Sequence, residues 1–132
     1  MSGERDLDVL LRRASPRRVD GEYVFTRLDP GAEVPEGAHP VVTVAEREGL
    51  TLVVPRAEAD ALGLPYTFVA AWITLEVHSA LEAVGLTAAF SRALADEGIP
   101  ANVVAGFTHD HLFVPVARAA DAVRALGRLA PA

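Results

Sequence analysis

Two short runs hold most of the side chains that could do chemistry. His109-Asp110-His111 sets a carboxylate between two imidazoles, and in an extended segment residues two apart point the same way. Joined by His78 or Glu76, the two histidines could hold a divalent ion. Solvated histidines on a hairpin are the commoner outcome, so no metal and no cofactor is expected. Asp110 offers an anion to a ligand ammonium or guanidinium, or else it bonds its own backbone as aspartates in tight turns do. The second run is Ala83-Val84-Gly85-Leu86-Thr87. A glycine ahead of a helix leaves backbone N–H groups open, and with the helix dipole these attract a carboxylate. The alternative is that Gly85 supplies only a turn with positive φ. Asn102, the single Asn of the chain, could orient a ligand's ammonium or carboxylate through its amide, or it stands exposed after Pro100. His78-Ser79 invites a hydrolase reading, but adjacent residues rarely align a hydroxyl with an imidazole, and the sequence has no G-x-S-x-G elbow. No catalytic residue is expected.

The elements that must position these residues follow from periodicity and punctuation. Asp6 caps a helix over Leu7–Ala14, stopped by Ser15-Pro16. Glu22–Arg27 reads as a strand, Asp29–Pro40 with its three prolines as a loop, and Val41–Val44 and Leu50–Val54 as short strands. Pro55 and Gly63 bracket a helix Arg56–Leu62. Phe68–Val77 is a long strand with one wholly apolar face, Val69, Ala71, Ile73, Leu75 and Val77. Leu86, Ala89, Phe90, Ala93 and Leu94 form a helical stripe that ends at Gly98. Ile99–Phe107 and Leu112–Val116 read as strands joined by a tight connection, Thr108-His109-Asp110-His111, and a last amphipathic helix carries Ala119, Ala122, Val123, Leu126 and Leu129. Strand, helix, strand, strand, helix is a split βαβ unit without its closing strand. The first half is incomplete too. The expectation is therefore an α+β chain of two subdomains, 1–66 and 67–132, that lend each other strands, with Phe68–Val77 shared. The surplus apolar surface of that strand, with edge strands open to pairing, leads to an expected homodimer.

Composition narrows the partners. The chain has 132 residues, 51% hydrophobic and 23% charged, which excludes a disordered chain. Its net charge is −6, with the acid excess in both halves, so nucleic acid is a poor partner. With no Cys, disulfide frameworks, thiolate nucleophiles and zinc-finger cages are out. No apolar stretch reaches the roughly 18 residues of a membrane span, and the N-terminus shows no secretory signal. No membrane association and a cytoplasmic location are expected.

The runs Trp72-Ile73-Thr74-Leu75-Glu76-Val77-His78-Ser79, Glu82–Ala89, Ala95-Asp96-Glu97-Gly98-Ile99 and His109–Val116 together resemble the ACT domains, and more narrowly the small bacterial stand-alone proteins built from two ACT-like units. The resemblance implies two ferredoxin-like βαββαβ-type subdomains, each an antiparallel sheet with helices on one face. It also implies regulation without catalysis: a small ligand, usually an amino acid, bound where two units pack. Gly85 and Leu86 match the loop that touches ligand in this family, and Asn102, Val103 and Val104 the strand whose backbone faces it. The family pattern favours the ligand reading of Asp110. The alternative role is a ligand-free module for dimerisation or docking.

Overall fold

The computed structural model describes residues 6–76 and 84–129. Four helices, α1 (Leu7–Arg13), α2 (Arg56–Leu62), α3 (Leu86–Ala95) and α4 (Ala119–Gly127), accompany six strands: β1 (Pro16–Leu28), β2 (Val42–Glu46), β3 (Gly49–Pro55), β4 (Val69–Leu75), β5 (Asn102–Ala105) and β6 (Asp110–Pro115). They gather into two compact units. A central unit spans Asp20–Ala70, and a split unit combines Met1–Val19 with Ala71–Ala132. Among the described residues no helix is long and apolar enough to cross a membrane.

In the central unit the strand order is β4-β1-β3-β2. β1 runs antiparallel to β3, pairing Phe25 with Val53 and Arg27 with Thr51, and β3 runs antiparallel to β2. Alternation along these ladders turns Val24, Leu52 and Val54 to one face, where they meet Ala59 of α2. The β2–β3 turn is possible only with glycine at its end. Gly49 has φ 147°, and a Cβ there would stand 2.0 Å from the Leu28 carbonyl oxygen. Helix α2 begins after Pro55 and ends at Gly63 in the left-handed region, as the bracketing residues require. Leu64 N–H to Ala59 O and Gly63 N–H to Asp60 O close it in a Schellman motif. The proline-rich loop replaces a helix between β1 and β2 and is tied to α2, for the His39 N–H and ring both bond the Glu58 carboxylate.

In the split unit the order is β1-β4-β6-β5. Its closing strand is the start of β1, and the Glu76 N–H donates to the Ser15 carbonyl where that strand begins. Ala71, Ile73 and Leu75 of β4 pack with Leu112 and Val114 of β6 under Leu86, Phe90, Leu94, Ala122 and Leu126 of the two long helices. Leu10 of α1 is buried in the same cluster, so the helix read at the start of the sequence belongs to the core of the last elements. Of the apolar β4 stripe that pointed to a dimer, Ala71, Ile73 and Leu75 are consumed here, Val69 packs on the core of the central unit, and Val77 lies outside the described residues. The two units share a sequence signature. Leu52-Val53-Val54-Pro55 ends β3 and Leu112-Phe113-Val114-Pro115 ends β6. Each proline then sits at φ near −54° and ψ near 134° to launch a helical segment.

Removing a fully buried leucine leaves a cavity that costs about 2–5 kcal/mol. Leu10→Ala should therefore lower the urea midpoint of unfolding by that equivalent. A loss under about 1 kcal/mol would mean that α1 is not part of the core.

Candidate functional site

Strands β4 and β6 carry a polar and aromatic face opposite the helices. Trp72 stacks on Phe113, with ring centroids 6.0 Å apart, and Thr74 reaches His111 at 3.2 Å. The reversed order of these contacts means that the two strands run antiparallel. The Trp72 indole N–H donates to His111 Nδ1 at 3.1 Å. An indole nitrogen can only donate, so that ring nitrogen carries no proton and His111 is neutral, with its hydrogen on Nε2. Burial pushes its pKa down, the charge of His109 adds to this, and Asp110 opposes it. Nε2 lies against Gly106, where a Cβ would come within 2.9 Å of it. This pair joins residues 39 apart in sequence; its one signal was the shared alternation of Trp72 and Thr74 on β4 with His111 and Phe113 on β6.

Asp110 is not in the connection where turn propensity put it. It is the first residue of β6, paired with Ala105, and only 7% exposed. The ladder outcompetes the turn, because extending β5 and β6 by one pair satisfies backbone groups that a wider loop would leave to water. Asp110 forms no ion pair with the described residues, and burial raises its pKa, against the attraction of His111 and His109. His109 Nδ1 is buried without a hydrogen-bond partner among the described residues.

Gly85 is the N-cap of α3 at φ 99°, and no side chain caps that helix. The place of its missing Cβ is taken by Leu7 of α1, 3.0 Å away. Leu86 is buried in the core, only 3% exposed. The order of strands and helices brings the start of α3 and the start of β6 to the same end of the split unit. Asn102 is not brought to them. It pairs with Phe113, three ladder steps from the Ala105–Asp110 pair, or about 10 Å at 3.4 Å per residue, and its amide donates to the Phe113 carbonyl. Val103 packs against the helix-side core, while Val104 pairs with His111 on the opposite face. His78 and Ser79 lie outside the described residues. Among the described residues no group of three or more His, Asp or Glu is placed to hold a metal ion.

The strand orders β4-β1-β3-β2 and β1-β4-β6-β5, the second a circular permutation of the first, each with helical cover on one face, define a ferredoxin-like fold. The chain belongs to the ACT domain family: one ACT domain model matches residues 2–71, more than half of the chain, and a second matches residues 68–128. A Vibrio cholerae protein of unknown function, described as a possible transport protein, is 45% identical over 95% of this chain and 96% of its own, with a TM-score of 0.86. An Agrobacterium tumefaciens protein shares the fold at 19% identity and a TM-score of 0.71, covering 89% of this chain and 90% of its own. The ligand-free regulatory subunit of aspartate kinase from Thermus thermophilus shares it at 9% identity and a TM-score of 0.58, covering 88% and 95%. Among proteins of curated function, none matches.

The Trp72–His111 bond makes this face sensitive to acid. The folded pKa of His111 lies below the ordinary 6.5, so the unfolded chain takes the proton more readily. The stability this group contributes is present above pH 6.5 and is lost as pH falls through the folded value. Trp72 is the single Trp of the chain, and its fluorescence should show a step with a midpoint below pH 6.5, absent in His111→Gln. A midpoint above 6.5 would contradict the assignment.

Proposed function

We propose that this protein is a non-catalytic sensor of a small molecule, an amino acid, held at the end of the split unit where α3 begins and Asp110 stands. The observation that carries the reading is Asp110: a buried carboxylate that forms no ion pair with the described residues. Such a group lacks a partner that a ligand ammonium would supply. The uncapped N–H groups of α3 beyond Gly85 suit the ligand's carboxylate. The backbone of Leu86 would join them, and the strand carrying Val103 and Val104 would flank the site. Tandem ACT domains are typically ligand-binding regulatory domains of amino-acid metabolism, and the aspartate kinase regulatory subunit is a structural neighbour. We place the subdomain division at 1–66 and 67–132 in sequence, and the protein in the cytoplasm.

The alternative is a ligand-free dimerisation module, favoured by β2. This edge strand leaves Thr43 to Glu46 exposed, with Val44 at 46%, and nothing in its sequence blocks pairing with a second copy.

A thermal-shift screen of the twenty amino acids decides between the two readings. A ligand at 100 times its Kd stabilises the fold by about 2.7 kcal/mol, a shift of roughly 10 °C for a chain this size. Asp110→Asn should abolish the shift. It should not destabilise the unliganded protein at pH 7, because a carboxyl whose folded pKa is raised contributes stability below pH 3.8 and loses it as pH rises through the folded value. If no amino acid shifts the wild type and light scattering gives a dimer, the assembly reading replaces the sensor.

A further inference from the structure

The geometry points to a second binding site, in the central unit, for a small carboxylate with an apolar body. A cleft of about 700 Å³ is lined by Phe25, Thr26 and Arg27 of β1, by Thr51 of β3, and by the segment around Pro65 and Tyr66 ahead of β4. Successive residues of a strand point to opposite faces. Three consecutive β1 residues in one wall therefore set the cleft along the edge of the strand, where the segment before β4 faces it. The volume is that of an ordinary small-molecule site.

The charges and walls select the ligand. Arg27 is the charged residue of the lining. It is exposed and forms no ion pair with the described residues, in a chain with a net charge of −6. Its fork of donors matches a carboxylate. Its stem is braced by the β2–β3 turn: Arg27 Cγ lies 3.1 Å from where a Cβ on Gly49 would stand. Thr26 pairs with Leu52, so its side chain turns to the face of the core against α2, and Arg27 is the polar group left to meet the ligand's charge. Tyr66 has its hydroxyl occupied, donating to Asp60 at 2.6 Å and accepting from Arg56 at 3.0 Å. Its ring is thereby fixed as an apolar wall with Phe25 and Pro65.

Comparison of the two units shows why the cleft is open. In the central unit Phe25 pairs with Val53 and Arg27 with Thr51. In the split unit Trp72 faces Phe113 and Thr74 faces His111. Arg27 and Phe25 thus occupy the register positions of Thr74 and Trp72. In the split unit the indole–imidazole bond fills that place. In the central unit the small Thr51 side chain turns away to donate to Glu46, and the space is left to a ligand beside a guanidinium that forms no ion pair with the described residues.

This inference rests on the reading of the chain as a small-molecule binder but uses none of the residues around Asp110. The probe is 3-phenylpropanoate, titrated into the isotope-labelled full chain while amide resonances are followed, with 3-phenylpropanamide as the uncharged control. Saturable shifts are expected at Thr26, Arg27, Thr51 and Tyr66, with about millimolar affinity for so small a probe. Loss of the charge, in the amide or in Arg27→Gln, should weaken binding about tenfold or more, and Asp110→Asn should leave it unchanged. Arg27 is exposed, so its replacement spares the fold. Absence of saturable shifts, equal binding of the amide, equal binding by Arg27→Gln, or shifts confined to residues 84–86 and 109–111 would each overturn the site. A failed amino-acid screen with phenylpropanoate binding retained would remove the Asp110 reading and leave the cleft standing.

Discussion

The fold depends on one long strand, β1, that serves in both units. A ferredoxin-like unit needs four strands, because three leave the central pair with an unpaired edge and the helices with too little sheet to cover. The split unit has only three strands in contiguous sequence, β4, β5 and β6, and takes its fourth from the start of β1. β1 is 13 residues long, and its length answers both needs: residues 16–19 close the split unit and residues 20–28 open the central one. Two of the bonds that fix its beginning come from Glu76. Ser15 accepts from the Glu76 N–H, and Arg17 pairs with the Glu76 carboxylate at 2.8 Å. The exposed ion pair adds little on its own. The backbone ladder and the burial of Leu10 just before it hold the strand in place.

Completing each sheet this way sets where polar groups can be kept. The interior strands β4 and β6 bring Trp72, Thr74, His111 and Phe113 onto one face, and the start of β6 carries Asp110 into a buried position. Both titratable groups are held in states that burial disfavours once charged, with Asp110 pushed up and His111 pushed down. Groups kept against that penalty mark the part of a protein where function outweighs stability. The corresponding positions of the central unit carry a cation and a small hydroxyl instead, so the same framework presents two chemically different faces.

Much of this was legible in the sequence where a local rule fixes a local structure. Asp6 caps α1 through its carboxylate, Pro55 and Gly63 bracket α2, and Gly98 closes α3, with Ile99 N–H bonded to Leu94 O. The incomplete units and the need to lend strands were legible as well. What was not legible depends on partners remote in sequence. Pro16-Arg17-Arg18-Val19-Asp20-Gly21 carries almost no apolar signal, because this part of β1 is largely exposed and is held by backbone bonds. Asp110 looks like a turn residue until the register of β5 and β6 draws it into the ladder. The His111 tautomer follows only from Trp72, and the central cleft only from the placing of residues 65–67 beside the end of β1. The match between Leu52-Val53-Val54-Pro55 and Leu112-Phe113-Val114-Pro115 was open to view, but neither half-unit looked whole enough to prompt the comparison.

The measurement that tests this account most directly is the folding of a fragment covering residues 69–129, alone and with a peptide of residues 6–28. If β1 closes the split unit and α1 fills its core, the fragment alone has no cooperative thermal transition by circular dichroism, and the peptide restores one in a concentration-dependent way. A fragment that unfolds cooperatively without the peptide, at the melting temperature of the full chain, would contradict the claim that β1 closes the split unit.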